Sequence, residues 1–564
     1  MEKIKYIMLF SLSLLLLVLP GCSLEEKWYS EITPDTYYTS KESVLAVLAR
    51  PYTHASWYMF DDRFFLQEFS ADQIIITAKG PHWYNDGAFQ RLLYHEWTPE
   101  DATVYNTWSG GMMGIALSLE VMEDLKTLPD YETLGFTPEE KEDHLMQLQT
   151  LIAYFTMRTM DFFGGIPIFM STKDENKPRN TDVETFNHVE NLLLEAIPKL
   201  QKKETLGAVE EGSLKQAAAA MMLAQLYFNA KAYIGQEKFE ECAKICQDII
   251  DGVYGAYALD ASWKGPFGWD NDKSPENIWI MPSQTHKKEN SWMYSYMGYN
   301  GSRYCLDVES DGNGSMHLTP SRNPLGDIYT DFKLGKPYEK FNDKDLRKKP
   351  YVYYGSKKYD GMFMVGVQTN PITGESAIGS LDYPGEVLTV VDQVAHFCKV
   401  GTPEYPTVAD LPSNIMEGEE CSGVRLMKTP QSNIAEKGIR WDAHWPVYRL
   451  AEVYYMLAEC KMRAGDKGTA ATLINDVRRR NFEGGVDPDP VTAGNLDGYR
   501  MLDEWGIEFL GECRRRTDLI RWDMFTTENW WDHKAKGNVN LKRFPIPTQA
   551  MSGNSLLEQN PGYK

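Results

Sequence analysis

Helical periodicity dominates two blocks of this chain and is lost between them. In the first block, apolar residues recur every three or four positions at Phe186, Val189, Leu193, Ala196 and Leu200. In the second block, the same spacing joins Tyr448, Ala451, Tyr455, Ala458 and Met462. Residues 253–440 lack this spacing and are dense in Gly, Pro, Asn, Asp, Trp and Tyr. Because long irregular stretches in compact domains are usually functional, we predict a mainly α protein with a large loop-rich insertion and a few short strands, one of them at 387–391.

The second block also has the spacing of a helical repeat. Leu457 and Ala458 are followed by Ala470, Ile474 and Val477, with Gly and Asp at the turn between them. Small residues at these positions let two helices cross closely, as in tetratricopeptide-like helix pairs. Segments 217–249 and, more loosely, 138–162 with 184–200 fit the same scheme. A generic helical bundle is the alternative interpretation.

The N-terminus predicts an exported, lipid-anchored protein. Lys3 and Lys5 precede an apolar run from 7 to 19, which is too short to span a membrane but has the length of a signal peptide. Gly21 stands directly before Cys22, as lipoprotein signal peptidase requires. We therefore expect residues 1–21 to be removed and Cys22 to be acylated, with residues 22–40 as a tether. An ordinary secretory signal with an incidental cysteine is the alternative.

Composition and missing motifs narrow the function. The formal net charge of -22 argues against nucleic acid as a partner. The eight cysteines show neither close metal-ligand spacing nor a disulfide framework. The sequence contains no nucleophile elbow, no HExxH zinc motif and no phosphate-binding glycine loop before a helix. We therefore expect no enzyme activity, no cofactor and no metal.

Aromatic residues suggest what the irregular parts bind. The chain has 15 Trp and 32 Tyr, and such rings give binding surfaces rigid contact area with a polar tip. Carbohydrate rings can stack on them while polar side chains bond the hydroxyl groups. One candidate loop spans 68–100, and a second candidate lies in the insertion. The candidate glycan-binding residues are Asp72, Trp83, Tyr84, Asn85, Asp86, Trp292, Tyr296, Tyr299 and Arg322.

Several fragments together resemble the SusD/RagB-type nutrient-binding outer-membrane lipoproteins of Bacteroidetes. The fragments are TPDTYY (33–38), DFFGGIP (161–167), WPVYRLAEVY (445–454), EFLGE (508–512), RRTDL (515–519), RW (521–522), FPIP (544–547) and QNPGY (559–563). The acidic pair after Cys22 also resembles the surface-export signal of these lipoproteins. One departure is the Lys542-Arg543 pair before FPIP, where the family usually has apolar residues.

The resemblance implies a fold, a partner and a location. The implied fold is a SusD-like right-handed helical superhelix of about four tetratricopeptide-like helix pairs, with the ligand on an irregular face. The implied partner is a SusC-like TonB-dependent transporter, to which captured oligosaccharide or polysaccharide is delivered. The implied location is the outer membrane, facing the cell surface through the lipid anchor.

The sequence thus predicts three parts after the tether. These are an N-terminal helical part at 41–252, the aromatic-rich insertion at 253–440 and a C-terminal helical part at 441–564. Two functions from other classes remain as alternatives to glycan capture. One is a tetratricopeptide-like adaptor or uptake protein that binds protein or peptide, and the other is a lipid-anchored glycoside hydrolase.

Overall fold

The computed structural model describes residues 37–60, 62–128, 131–290, 316–370, 373–379, 385–432 and 434–564. Four predicted functional residues, Cys22, Trp292, Tyr296 and Tyr299, lie outside the described residues. The described part of the chain is mainly α-helical, as predicted. None of its helices is both long enough and apolar enough to cross a membrane.

The described helices fall into the two blocks that the periodicity marks, with one short helix between them. They are α1 (Lys41–Met59), α2 (Asp62–Glu68), α3 (Ala88–Leu93), α4 (Ala102–Thr127), α5 (Pro138–Phe163), α6 (Asp182–Ala196), α7 (Gln216–Phe228), α8 (Ala230–Ile234), α9 (Phe239–Ile250), α10 (Pro337–Lys340), α11 (Leu450–Arg463), α12 (Lys467–Arg478), α13 (Gly498–Glu508), α14 (Arg515–Arg521) and α15 (Thr548–Gly553).

The described strands are short and pair two by two in antiparallel fashion. They are β1 (Ile74–Ile76), β2 (Asn277–Met281), β3 (Met316–Leu318), β4 (Val352–Gly355), β5 (Lys358–Asp360), β6 (Phe363–Met364), β7 (Gly366–Val367), β8 (Thr389–Val390), β9 (Arg425–Leu426) and β10 (Trp445–Arg449). The strand predicted at 387–391 is present only as the two residues of β8, which pair with β7.

Local sequence signals explain where the long helix α5 begins and ends. The Thr137 hydroxyl accepts a hydrogen bond from the Glu140 amide, and the Glu140 carboxylate accepts one from the Thr137 amide, at 3.2 and 2.8 Å. This capping box satisfies two amides that have no partner inside the helix. The helix ends at Gly164, whose φ of 75° lies in the region that glycine adopts at least cost.

Close helix crossings depend on small residues. A Cβ on Gly114 of α4 would lie 2.4 Å from the Phe155 ring of α5, so any larger residue would force these two helices apart. Helices α5 and α6, α7 and α9, and α11 and α12 also pack in pairs, in agreement with the predicted repeat segments. The apolar stripe from Phe186 to Leu200 is buried, as its spacing predicts.

The two helical blocks pack directly against each other. Helix α9 of the first block contacts α11 of the second, and Cys242 and Cys246 of α9 are buried there with Cys460 of α11. The Cys242 and Cys246 sulfur atoms lie 3.9 Å apart. These cysteines therefore fill the core, as expected.

The middle segment is attached to the helices by β2 and β10. Trp279 of β2 lies opposite Tyr448 of β10 and is fully buried. Its ring centroid lies 5.3 Å from Tyr154 of α5 and 5.5 Å from Tyr448, with edge-to-face and tilted geometry. Aromatic contacts of this kind add to the free energy gained by burial, and they fix the irregular segment on the helical scaffold.

Candidate functional site

Strand β1 positions the loop that carries Trp83. Ile74, Ile75 and Ile76 are fully buried, and they pair with Leu318, His317 and Met316 of β3. The loop begins directly after this anchored strand. Met316 is also the first described residue after the aromatic stretch that holds Trp292, so that stretch rejoins the described structure opposite Ile76.

The backbone of the Trp83 loop is held in an unusual conformation. Lys79 and His82 exchange two backbone hydrogen bonds of 2.9 Å, which close a tight turn. Trp83, Asn85 and Asp86 then have φ values of 66°, 45° and 52°. This left-handed region costs on the order of 1–2 kcal/mol for a bulky residue and less for Asn and Asp. Such local strain is concentrated at functional sites in proteins.

One arginine fixes the far end of this loop. The Arg91 guanidinium donates a hydrogen bond of 2.6 Å to the Asp86 backbone carbonyl. It also donates through Nε to Asp101 at 2.8 Å. The left-handed turn is therefore held from outside by a charged group on α3, so the side chains at its tip are presented in a defined direction.

The loop presents the kinds of side chain that the sequence analysis predicts. Tyr84 is 49% exposed, and Asn85 and Asp86 are exposed beside it. Trp83 is only partly exposed because its ring packs against the core. The arrangement offers an aromatic face, a carboxamide and a carboxylate within three successive residues, and this combination can hold a polar molecule that also has an apolar face.

Asp72 has a structural role, which corrects its assignment as a ligand contact. Its side chain is fully buried, and its two carboxylate oxygens accept hydrogen bonds of 2.6 and 2.9 Å from Arg515. The Gly335 amide donates a third bond of 2.7 Å. Burial alone would raise the pKa of the Asp72 carboxyl, but Arg515 lowers it below the ordinary value. No oxygen of this carboxylate is left for a ligand.

Arg322 lies on a second loop, and part of its side chain is accessible. Its guanidinium donates to the Gly326 carbonyl and to the Glu339 carboxylate, both at 2.9 Å, and the side chain is 38% exposed. Two of its nitrogens are thus fixed by the protein. The accessible remainder can still donate to an oxygen of a bound molecule.

Segment 413–418 joins the Arg322 loop to the Trp83 loop. The Ala78 amide donates to the Ile415 carbonyl at 2.8 Å, at the start of the Trp83 loop. Tyr329, at the end of the Arg322 loop, donates through its hydroxyl to Ser413 at 3.0 Å. Residues 79–87, 322–329 and 413–418 are therefore linked by direct contacts, and we call the exposed residues of these three segments the Trp83 face.

The Trp83 face also includes apolar residues that the sequence analysis missed. Leu325, Ile328 and Met416 are 61%, 41% and 43% exposed. The Met416 sulfur accepts a hydrogen bond of 3.0 Å from the side-chain Nε2 of Gln90, which links Met416 to α3. Single apolar residues in an irregular stretch give no periodic signal, so nothing in the sequence separates them from core residues.

A buried carboxylate lies behind the Arg322 loop. The Asp392 carbonyl accepts from the Arg322 amide at 3.2 Å, and its Oδ1 accepts from the Ser321 amide at 3.0 Å. Its Oδ2 has no hydrogen-bond partner among the described residues. Burial raises the pKa of the Asp392 carboxyl to about 6. In the described part of the chain, no group of three or more His, Cys, Asp or Glu side chains is placed to hold a metal ion.

Comparison with known proteins places the chain in a family. A model of the SusD family matches residues 275–563, just over half of the chain. The chain therefore belongs to the SusD family. Strands β2 and β10 and helices α11 to α15 all lie within the matched residues.

Particular relatives extend this likeness over most of the chain. The chain is 25% identical to the starch-binding protein SusD of Bacteroides thetaiotaomicron over 451 residues, which are 77% of this chain and 75% of that protein. A SusD superfamily protein from Bacteroides fragilis has the same fold, with a TM-score of 0.66, 16% identity and coverage of 94% of this chain and 100% of the other. Surface glycan-binding protein A from Bacteroides thetaiotaomicron, solved in complex with laminarihexaose, has a TM-score of 0.62, 16% identity and coverage of 93% and 100%.

Proposed function

We propose that this protein is a cell-surface lipoprotein that captures oligosaccharide or polysaccharide and delivers it to a SusC-like TonB-dependent transporter. Binding takes place on the Trp83 face, without catalysis and without a cofactor or metal. The observation that carries the proposal is the Trp83 loop, whose strained backbone is fixed by Arg91 and presents Tyr84 beside Asn85 and Asp86.

The chemistry of this loop suits a sugar. One face of a pyranose ring is lined by C–H groups and packs on an aromatic ring, while its edge carries hydroxyl groups. Tyr84 supplies the ring, and Asn85 and Asp86 supply hydrogen-bonding groups next to it. The names of two relatives support the same class of ligand, since one is described as binding starch and the other was solved with laminarihexaose.

The proposed site combines described and undescribed residues. Trp83, Tyr84, Asn85, Asp86 and Arg322 form the described part. Trp292, Tyr296 and Tyr299 are proposed to extend the aromatic surface, because the sequence places them together in the aromatic-rich insertion. Asp72 is omitted because Arg515 and the Gly335 amide occupy its carboxylate.

The sequence and the family support the proposed location and partner. Acylation of Cys22 would anchor the protein in the outer membrane, because each buried methylene adds about 0.8 kcal/mol to membrane binding. A lipid tether next to a transporter is consistent with a protein that captures a substrate and passes it on.

The test is a binding screen on the purified protein without its signal peptide. Isothermal calorimetry is run with neutral oligosaccharides, including maltohexaose and laminarihexaose, and with a mixture of random peptides. We expect a neutral glycan to bind with micromolar to millimolar affinity and to remain uncleaved when its reducing ends are assayed. Binding of peptides alone would contradict the proposal.

A matched pair of variants locates the site. Tyr84→Ala removes the exposed ring of the Trp83 loop, and Trp57→Ala removes a ring on α1 that is similarly exposed but lies outside the Trp83 face. Losing one stacking ring costs about 1–2 kcal/mol, so we expect Tyr84→Ala to bind roughly tenfold more weakly. We expect Trp57→Ala to bind with unchanged affinity. Equal losses in both variants would place the site elsewhere.

A further inference from the structure

A second groove opens between segment 260–275 and the hairpin of β4 and β5. Its volume is about 680 Å³, and none of the residues of the Trp83 face line it. It meets another groove of about 660 Å³ at Asp260, and that neighbour is lined by Tyr454 and Arg479. Both grooves are open to solvent, and Asp260 is part of the lining of each.

Some charged groups of the first groove have partners within the protein, and others do not. Lys264 pairs with Asp360 at 2.6 Å, and Lys357 pairs with Asp270 at 2.7 Å. The third carboxylate, Asp260, accepts hydrogen bonds from the Ser262 amide at 3.1 Å and the Ser274 hydroxyl at 3.0 Å. All three carboxylates of the groove therefore already have partners.

Two lysine ammonium groups of the same groove have no partner among the described residues. Lys273 and Lys358 line the groove and are exposed, and neither ammonium forms an ion pair or hydrogen bond with any described residue. The charges left over for a ligand are thus both positive, on a protein whose formal net charge is -22. Complementarity then favours an anionic group on whatever binds there.

The rim and wall of the groove add aromatic surface. Tyr354, at the rim, is 63% exposed. Trp269 and Tyr359 form the wall, with ring centroids 5.7 Å apart, and both are almost completely buried. The Trp269 indole N–H and the Tyr359 hydroxyl have no hydrogen-bond partner among the described residues. Both of these atoms are buried, so the groove offers a sugar the exposed Tyr354 ring rather than these donors, and the apolar C–H face of a sugar can pack on that ring.

We propose that this groove is a second binding site, and that it takes an acidic oligosaccharide. A carboxylate or sulfate group of the sugar pairs with Lys273 and Lys358, and a ring of the chain stacks on Tyr354. This site is independent of the Trp83 face, because the two surfaces share no residue.

The experiment uses the purified protein without its signal peptide, at physiological salt. Calorimetry measures the binding of a galacturonic acid tetrasaccharide, which carries carboxylates, and of a sulfated galactan tetrasaccharide, which carries sulfates. We expect at least one of them to bind, and the double variant K273A/K358A to weaken that binding at least tenfold. Y354A is expected to weaken it about fivefold to tenfold.

A double variant of equal charge controls for general electrostatics. K173A/K202A removes two exposed lysines outside the groove, and we expect it to bind the acidic sugar within twofold of the parent protein. If K273A/K358A weakens the binding of only one of the two sugars, the anionic group of that sugar is the one that the site recognises. The proposal is overturned if neither sugar binds, if both double variants lose affinity equally, or if a glutamate decapeptide binds with the same dependence on Lys273 and Lys358. Because neutral glycans are absent from these titrations, failure here leaves the proposed function of the Trp83 face unaffected.

Discussion

Charged and aromatic side chains point outward on the Trp83 loop, whereas around Glu508 they are buried against one another. Asp86 is exposed on a left-handed turn, with only its backbone carbonyl bound by Arg91. Glu508 is almost completely buried and accepts hydrogen bonds from Arg347, Arg449 and Arg480 at 2.7, 2.8 and 3.0 Å. The same residue types thus have different roles, and their partners decide which role each one has.

The difference shows in the direction of the pKa shift. Burial would raise the pKa of the Glu508 carboxyl, but Arg449, Arg480 and Arg347 hold it well below its ordinary value. The Asp392 carboxyl is buried behind Arg322 with far less compensation, and burial raises its pKa. A carboxylate in the core is therefore stabilising only where cations surround it.

The largest expected effect comes from removing the charge at the centre of the buried network. Glu508→Gln leaves three arginines without their shared anion, and breaking a buried pair from one side typically costs about 3–5 kcal/mol. We expect that loss in the free energy of unfolding, measured by urea denaturation. Glu483→Gln changes an exposed carboxylate and should stay within about 0.5 kcal/mol of the parent. A small loss of stability in Glu508→Gln would mean that the buried ion pairs contribute little to the stability of the core.

A second variant tests whether Asp72 is a buried structural carboxylate like Glu508 or a ligand contact like Asp86. Asp72→Asn weakens the two-pronged pair with Arg515, and we expect about 3 kcal/mol less stability with glycan affinity unchanged at a temperature where the variant is folded. Denaturation and calorimetry on the same preparation separate the two readouts. Lower glycan affinity without lower stability would show that Asp72 contacts the glycan.

Sequence patterns captured the helical core because its signal is local. The apolar stripe of α6 has the spacing of one helix face, and the structure buries it. Tyr84, Asn85 and Asp86 are exposed, as expected for a loop bounded by Gly80 and Gly87, and their role in binding stays a prediction.

Other assignments depended on partners that are distant in the chain. Asp72 stands near the same loop in sequence, but its partner Arg515 lies 443 positions later, so no local pattern could show the pair. Trp83 is a predicted glycan-binding residue, and its ring also packs against the core. Trp83→Ala would therefore remove core contacts together with a stacking ring, whereas Tyr84→Ala removes an exposed ring alone.

An intermediate effect on the free energy of unfolding is expected for Asp392→Asn, and it is opposite in sign to the effects above. In the folded state its pKa is about 6, above the ordinary value of 3.8, so folding disfavours the ionised form. The penalty is complete above pH 6, shrinks as the folded protein takes up a proton between pH 6 and 4, and vanishes below that range. Asp392→Asn should thus stabilise the protein by about 2–3 kcal/mol at pH 7.5 and by almost nothing at pH 4. Urea denaturation at both pH values decides this, and a constant difference would rule out ionisation as the cause.

The smallest effect on stability is expected on the Trp83 loop, where one position allows strain and binding to be separated. Asp86 has φ 52° and ψ 32°, a conformation that glycine adopts freely, Asp tolerates and alanine disfavours by about 1 kcal/mol. Asp86→Gly and Asp86→Ala both remove the exposed carboxylate, but they differ in how well they accept the left-handed turn. The backbone carbonyl that accepts from Arg91 is present in both. We expect both variants to bind the glycan several-fold more weakly, with the alanine variant less stable than the glycine variant by about 1 kcal/mol. If only the alanine variant loses affinity, the contribution of Asp86 lies in the shape of the loop. If both lose affinity equally while their stabilities differ, the carboxylate itself contacts the sugar, and the strain in this loop is a cost of presenting it.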